Sequence, residues 1–195
     1  MLIIKYQLII FASYFKNDFM IHLHDKTFEP FISSEEIDFA LANMAKKMDD
    51  DFFDDIPVFI GILNGSFMVM SDLMKHYRGM CEVNFVKMAS YEGTQSTNNV
   101  KQLIGLDGNL DGKTVVIVED IVDTGNTIEE LKAIFKQKNV KHLKIATLFF
   151  KPDAYKKDIK LDYVGIRIPD KFIVGYGLDY DGLGRNLRDV YQLAE

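Results

Sequence analysis

The stretch VVIVEDIVDTGNTIEEL, Val115 to Leu131, decides how this chain is read. A short apolar run leads straight into two adjacent carboxylates, Glu119 and Asp120. Such a run, Thr114 to Val118, has the character of a buried strand, and Ile128, Leu131, Ile134 and Phe135 then recur at helical spacing. An isolated buried carboxylate is very costly, so Glu119 and Asp120 are expected to face solvent, a cation or polyhydroxyl groups. Asp123-Thr124-Gly125-Asn126-Thr127 opens the helix, where free N–H groups and the positive end of the dipole suit a phosphate. Gly125 permits close backbone approach, and Thr124 and Thr127 add hydroxyl donors. An ordinary N-cap also accounts for Asp123 and Thr124, though not for two acids directly after an apolar strand. The residues alone leave both readings open.

Working outward, the same alternation recurs. Ser33 and Glu36 fit a capping box, and Ile37, Leu41, Met44 and Met48 predict an amphipathic helix ending near Asp49-Asp50-Asp51. The acid run reads as a solvated helix end. Pro57 to Leu63 predicts a buried strand, Asn64-Gly65 a turn, and Ser66 to Tyr77 a helix. Cys81 to Met88 and Gln102 to Leu106 read as strands, with a polar, aperiodic loop from Ser90 to Lys101 between them. Asp107 to Gly112 reads as a turn, Ile128 to Lys138 as a helix, and Leu143 to Phe150 and Tyr163 to Ile168 as strands. The Gly-rich tail, Gly175 to Arg188, reads as irregular. Strands alternating with helices give an α/β fold with a mostly parallel sheet flanked by helices. In such sheets ligands bind beyond the carboxyl ends of the strands. Asp107 to Thr114 nearly matches a phosphate-binding Walker loop, but it precedes a strand where that loop follows one, so it reads as a turn.

The bulk numbers set outer limits. A chain of 195 residues that is 48% hydrophobic supports one domain with a substantial core. A net charge of −6 argues against a nucleic-acid-binding protein. The single cysteine, Cys81, permits no internal disulfide, which fits a reducing, cytoplasmic setting. The apolar start, MLIIKYQLIIFASYF, is too short and interrupted for a membrane span, which needs about 20 residues. It lacks the pattern of a signal peptide. A start assigned too early, with Met20 as the working start, is favoured over a packed N-terminal strand.

Val115 to Thr127 closely resembles the ribose-phosphate-diphosphate binding motif of type I phosphoribosyltransferases, in the form seen in their hypoxanthine–guanine branch. Three further stretches follow that family in order: Gly61 to Phe67, Ser90-Tyr91, and Ile168 to Tyr180 with Arg185 after it. The resemblance spans roughly Phe28 to the C-terminus. It implies the type I phosphoribosyltransferase fold with a small hood formed by the terminal segments, and a single domain over 20–195. It also implies a reaction, in which 5-phospho-α-D-ribose 1-diphosphate and a 6-oxopurine give a nucleotide and diphosphate in purine salvage, with Mg²⁺ on the diphosphate.

By the same resemblance, Glu119 and Asp120 match the acids that bind ribose hydroxyls, directly or through Mg²⁺. Asp123 matches the general base at purine N7. Thr124, Gly125, Asn126 and Thr127 match the 5′-phosphate cup. Lys151 matches the donor to the purine 6-oxo group; an ammonium has only donors, which favours hypoxanthine or guanine over adenine. Without the family, Lys151 is a solvated strand-end lysine. Phe172 matches the aromatic that stacks on the base, although composition alone makes it a core residue. Ile173 matches the residue whose backbone reads the purine edge. Asp179 matches a Mg²⁺ ligand, and Arg185 a diphosphate contact. Asn64 and Gly65 match the diphosphate loop, and here the chain departs from the pattern, since many relatives carry lysine where Asn64 stands. Ser90 and Tyr91 head the loop, 90–101, that closes over the site in relatives; its alternative is a plain hairpin connection. The family implies a homodimer or homotetramer and no membrane or nucleic-acid partner. Two alternatives remain: an RNA-binding attenuation regulator on the same fold, disfavoured by the acidic balance, and transfer to another base such as xanthine.

Overall fold

The computed structural model describes residues 20–91, 100–106 and 108–194. The expectation for residues 1–19 lies outside them, as do most of the loop at 90–101 and Asp107. The chain divides into two compact units, Glu35–Asp170 and the pair of terminal segments Met1–Ser34 with Lys171–Glu195.

The larger unit is built on a six-stranded sheet. Its strands are β3 (Val58–Leu63), β4 (Glu82–Tyr91), β5 (Val100–Ile104), β6 (Thr114–Val122), β7 (His142–Phe150) and β8 (Tyr163–Arg167), in the order β5-β4-β3-β6-β7-β8. Five are parallel, and β5 pairs antiparallel to β4 at one edge. Helices α1 (Ser34–Asp51), α2 (Phe67–His76) and α3 (Asn126–Phe135) accompany them. Val115 and Val116, Val58 and Phe59 are all buried, because parallel strands covered on both faces must be apolar throughout. On one face Ile128, Leu131 and Phe135 of α3 pack with Val58, Ile60, Val115, Ile117 and Ile145. Each such side chain contributes about 1.5–3 kcal/mol when buried. Phe59 has the opposite parity and meets Phe52 and Tyr77 edge-on, with ring centroids at 6.4 and 5.1 Å.

The smaller unit is a four-stranded antiparallel sheet, β1 (Ile21–Leu23), β2 (Lys26–Ile32), β10 (Val190–Leu193) and β9 (Ile173–Val174), in that spatial order. This is the hood that the resemblance implies. Between β9 and β10 the Gly-rich tail makes only turns and isolated bridges, as its composition predicts. The N–H of Ser34, at the start of α1, donates to Asp189 Oδ1 at 2.7 Å, a cap supplied by the far end of the chain.

The larger differences from the sequence reading lie at strand ends and in the terminal strands. Strand β4 runs on through Ser90 and Tyr91, and β5 begins at Val100, paired with Tyr91. The two residues expected to head a loop are therefore strand, because an antiparallel partner takes their backbone groups. Strand β6 does not stop at Val118 but continues through both acids to Val122, paired with β7 as far as Phe150. Strands β1, β2, β9 and β10 are short and carry no strong period, so only pairing across the sequence reveals them. The segment Gly108 to Lys113 is the expected turn, with Lys113 N–H on Leu110 O at 3.1 Å, and it leads into β6.

Candidate active site

Strand order locates the site. From β3 the chain passes to β4 on one side and later to β6 on the other, so β3 and β6 flank the switch point at which open α/β sheets bind ligands. The loop after β3 is Asn64-Gly65-Ser66; the Leu63–Asn64 peptide is cis. Asn64 is exposed, and Gly65 and Ser66 are buried. A Cβ on Gly65 would fall on the Asp120 carboxylate. Only glycine lets this loop close on strand β6 here.

Glu119 and Asp120 are 6% and 9% exposed. They do not face open solvent, one of the three surroundings expected from their charge, because the β6–β7 ladder carries them inside the sheet. Strand alternation sends the two to opposite faces. Asp120 lies on the side of the β3–α2 loop, and its Oδ1 accepts the N–H of Ile121 at 2.9 Å. Glu119 shares the parity of Val115 and Ile117, the face covered by α3. Burial, and then the neighbouring Asp120 charge, hold the Glu119 carboxyl well above the ordinary range.

Gly125 is the N-cap of α3 with φ 85°, a left-handed conformation, and a Cβ there would strike Tyr155 and the Lys157 stem. Neither Asp123 nor Thr124 takes the N-cap position, and no side-chain cap bond is made there. The first turn of α3 thus presents its N–H groups uncapped by a side chain, beside the exposed Thr124, Asn126 and Thr127. That is the arrangement a phosphate needs.

Lys151 follows β7 directly. Its N–H donates to Val122 O at 3.0 Å, which binds the end of β7 to the end of β6. Its side chain is buried, and Nζ donates to Asp123 Oδ2 and to Asp170 Oδ1, both at 3.0 Å. The structure therefore joins two residues that the sequence reading kept apart, the expected base Asp123 and the expected base-reading Lys151. It adds a third, Asp170, that the sequence reading missed; its only signal was its place two residues before Phe172.

In the terminal unit Phe172 is 44% exposed, not buried as its composition alone suggests. Its ring meets Tyr180 edge-on at 5.8 Å and Phe28 at 6.0 Å. Ile173 pairs with Gln192 in β9–β10. Asp179 and Arg185 come together, Oδ1 to the guanidinium at 2.6 Å, and Arg185 also donates to Gly177 O at 2.7 Å. Asp179 accepts the N–H of Gly182 at 2.8 Å as well. Among the described residues no group of three His, Cys, Asp or Glu side chains converges as a metal cage. Paired and scattered carboxylates of this kind suit Mg²⁺ that arrives on substrate phosphates, since that ion keeps its waters and takes only one or two protein carboxylates. Burial pushes the Cys81 thiol up, away from the thiolate form that reacts. No helix among the described residues is long and apolar enough to cross a membrane.

The model of the phosphoribosyl transferase domain matches residues 33–181, most of the chain. The chain belongs to the phosphoribosyltransferase family. The hypoxanthine-guanine phosphoribosyltransferase of Bacillus subtilis (strain 168) is 40% identical over 157 residues, 80% of this chain and 87% of that one. The enzyme of that name from Streptococcus pyogenes serotype M3 is 42% identical over 153 residues, 78% and 85% of the two chains. A crystal structure of a hypoxanthine-guanine phosphoribosyltransferase from Bacillus anthracis superposes with a TM-score of 0.76 at 36% identity, covering 85% of this chain and 96% of that one. The resemblance drawn from the four motifs, and the phosphoribosyltransferase fold it implies, are borne out.

Proposed function

We propose that this phosphoribosyltransferase moves the 5-phosphoribosyl group from 5-phospho-α-D-ribose 1-diphosphate to N9 of hypoxanthine or guanine, giving IMP or GMP and diphosphate. The observation that carries the choice of base is the buried ammonium of Lys151, flanked by two carboxylates at the carboxyl end of β7. Its N–H groups can donate to a 6-oxo group and cannot accept from a 6-amino group. This favours oxopurines over adenine.

The roles are those that the family resemblance implies, and the local geometry supports several of them. The uncapped first turn of α3, with Thr124, Gly125, Asn126 and Thr127, seats the 5′-phosphate. Asp123 takes the purine N7 proton, and Lys151 stabilises the carboxylate at the start. Glu119 and Asp120 meet the ribose hydroxyls. Gly65 and the neighbouring N–H groups, with Asn64, contact the diphosphate, a role that the resemblance also gives Arg185. Phe172 stacks on the base, and the backbone of Ile173 reads its edge. By the family resemblance Mg²⁺ would accompany the diphosphate, with Glu119, Asp120 and Asp179 each a candidate carboxylate ligand; when bound it would neutralise charge on the leaving group. Ser90 and Tyr91, at the end of β4, lead into the segment that by the family resemblance closes over the site and excludes competing water. We place the protein in the cytoplasm as a homodimer or homotetramer.

Diphosphate release from 5-phosphoribosyl 1-diphosphate and Mg²⁺, run with hypoxanthine, guanine, xanthine, adenine and uracil, tests the proposal. Turnover with hypoxanthine or guanine, and little with adenine, is expected. Turnover confined to adenine or uracil would refute the assignment of Lys151. No turnover by folded protein would refute the transferase.

A further inference from the structure

We infer that Asp170 is a positioning residue that orients the Lys151 ammonium for the 6-oxo group of the purine. The inference rests on the transferase reading above. An ammonium carries three N–H donors. In Lys151 one goes to Asp123 and one to Asp170, each at 3.0 Å, and among the described residues no third protein partner is present. With a single partner the ammonium would turn freely about that bond. With two, on separate segments, the third N–H has one remaining direction and needs an acceptor there.

Charge points the same way. The Lys151 side chain is 8% exposed, while those of Asp123 and Asp170 are 45% and 62% exposed. A buried ammonium paired with one carboxylate would be drawn wholly toward it, here toward the residue that must accept the N7 proton. Asp170 competes for the lysine and leaves Asp123 less tightly held. Its own exposure means that it has little part in packing, so its carboxylate is free to vary without disturbing the core. Lys151 is fixed at its other end, where its N–H and its C=O are both hydrogen-bonded within the backbone. The main-chain anchor and the Asp170 contact hold the two ends of the side chain, and between them they direct the remaining donor.

The experiment is a calorimetric titration of IMP and of AMP, with Mg²⁺, into the unaltered protein, Asp170→Ala and Asp170→Asn, together with KM for hypoxanthine and for 5-phosphoribosyl 1-diphosphate. Loss of one charge-assisted contact should weaken IMP about tenfold in Asp170→Ala. AMP should weaken less, so that discrimination between the two nucleotides narrows. Asp170→Asn keeps a neutral acceptor and should fall between. KM for hypoxanthine should rise while that for 5-phosphoribosyl 1-diphosphate holds. An unchanged IMP-to-AMP ratio in Asp170→Ala, or equal weakening of both nucleotides, would overturn the positioning role while leaving the transferase intact. Binding of neither nucleotide by the unaltered protein would overturn the transferase reading, and this role with it.

Discussion

Gly65 sits where any side chain of its own would collide with the Asp120 carboxylate. Gly65→Ala is therefore expected to cost about 1–3 kcal/mol, the usual range for overpacking a tight site. Chemical denaturation reads that loss, and KM for 5-phosphoribosyl 1-diphosphate should rise with it. Beside it, Asn64 stands exposed, at a position where the family resemblance implies a lysine. Asn64→Lys should lower that KM roughly two- to fivefold, the worth of an exposed ion pair; an unchanged KM would show that the cation is not missed. Asp123→Asn keeps the shape of the side chain and removes its basicity. Turnover should fall by roughly 10²–10⁴, as for loss of a general base, with much smaller loss of IMP affinity. Equal losses in both would assign Asp123 to binding instead.

Strand β6 is the element on which the site depends, and it carries a buried acid. Glu119 titrates above its ordinary range because burial and Asp120 disfavour its charge. Below the unfolded value both states hold the proton. Above it the unfolded chain releases a proton that the folded chain keeps, so stability falls as pH rises toward the folded value. Glu119→Gln should remove this slope and raise the melting temperature more at pH 7 than at pH 4.5, as differential scanning fluorimetry across pH would show. An equal effect at both values would mean that folding does not shift the Glu119 carboxyl, against the raised direction expected from its burial. The helix that follows, α3, was legible as a helix from Ile128, Leu131 and Phe135. Its first residue was not, because Asp123 and Thr124 are both good N-caps, and the choice of Gly125 depends on Tyr155 and Lys157 packed against it.

For the whole molecule the sharpest expectation is linkage. A ligand that binds only the folded chain stabilises it by about 2.7 kcal/mol at a hundred times its Kd. Saturating 5-phosphoribosyl 1-diphosphate with Mg²⁺ should raise the melting temperature by several degrees, and an unchanged curve would contradict the proposed site. The sequence by itself determined the α/β class, the strand from Thr114, the helix at α3, the turn before β6 and the family, because apolar period and local motif are short-range properties. Only the tertiary structure decided that Glu119 and Asp120 are buried, that Phe172 is half exposed, and that Asp179 meets Arg185. It alone brought Asp123, Lys151 and Asp170 together. Those facts depend on which strands neighbour each other and on what covers each face. Asp123 and Lys151 are 28 positions apart and Lys151 and Asp170 19, and no local pattern in a chain records such pairings.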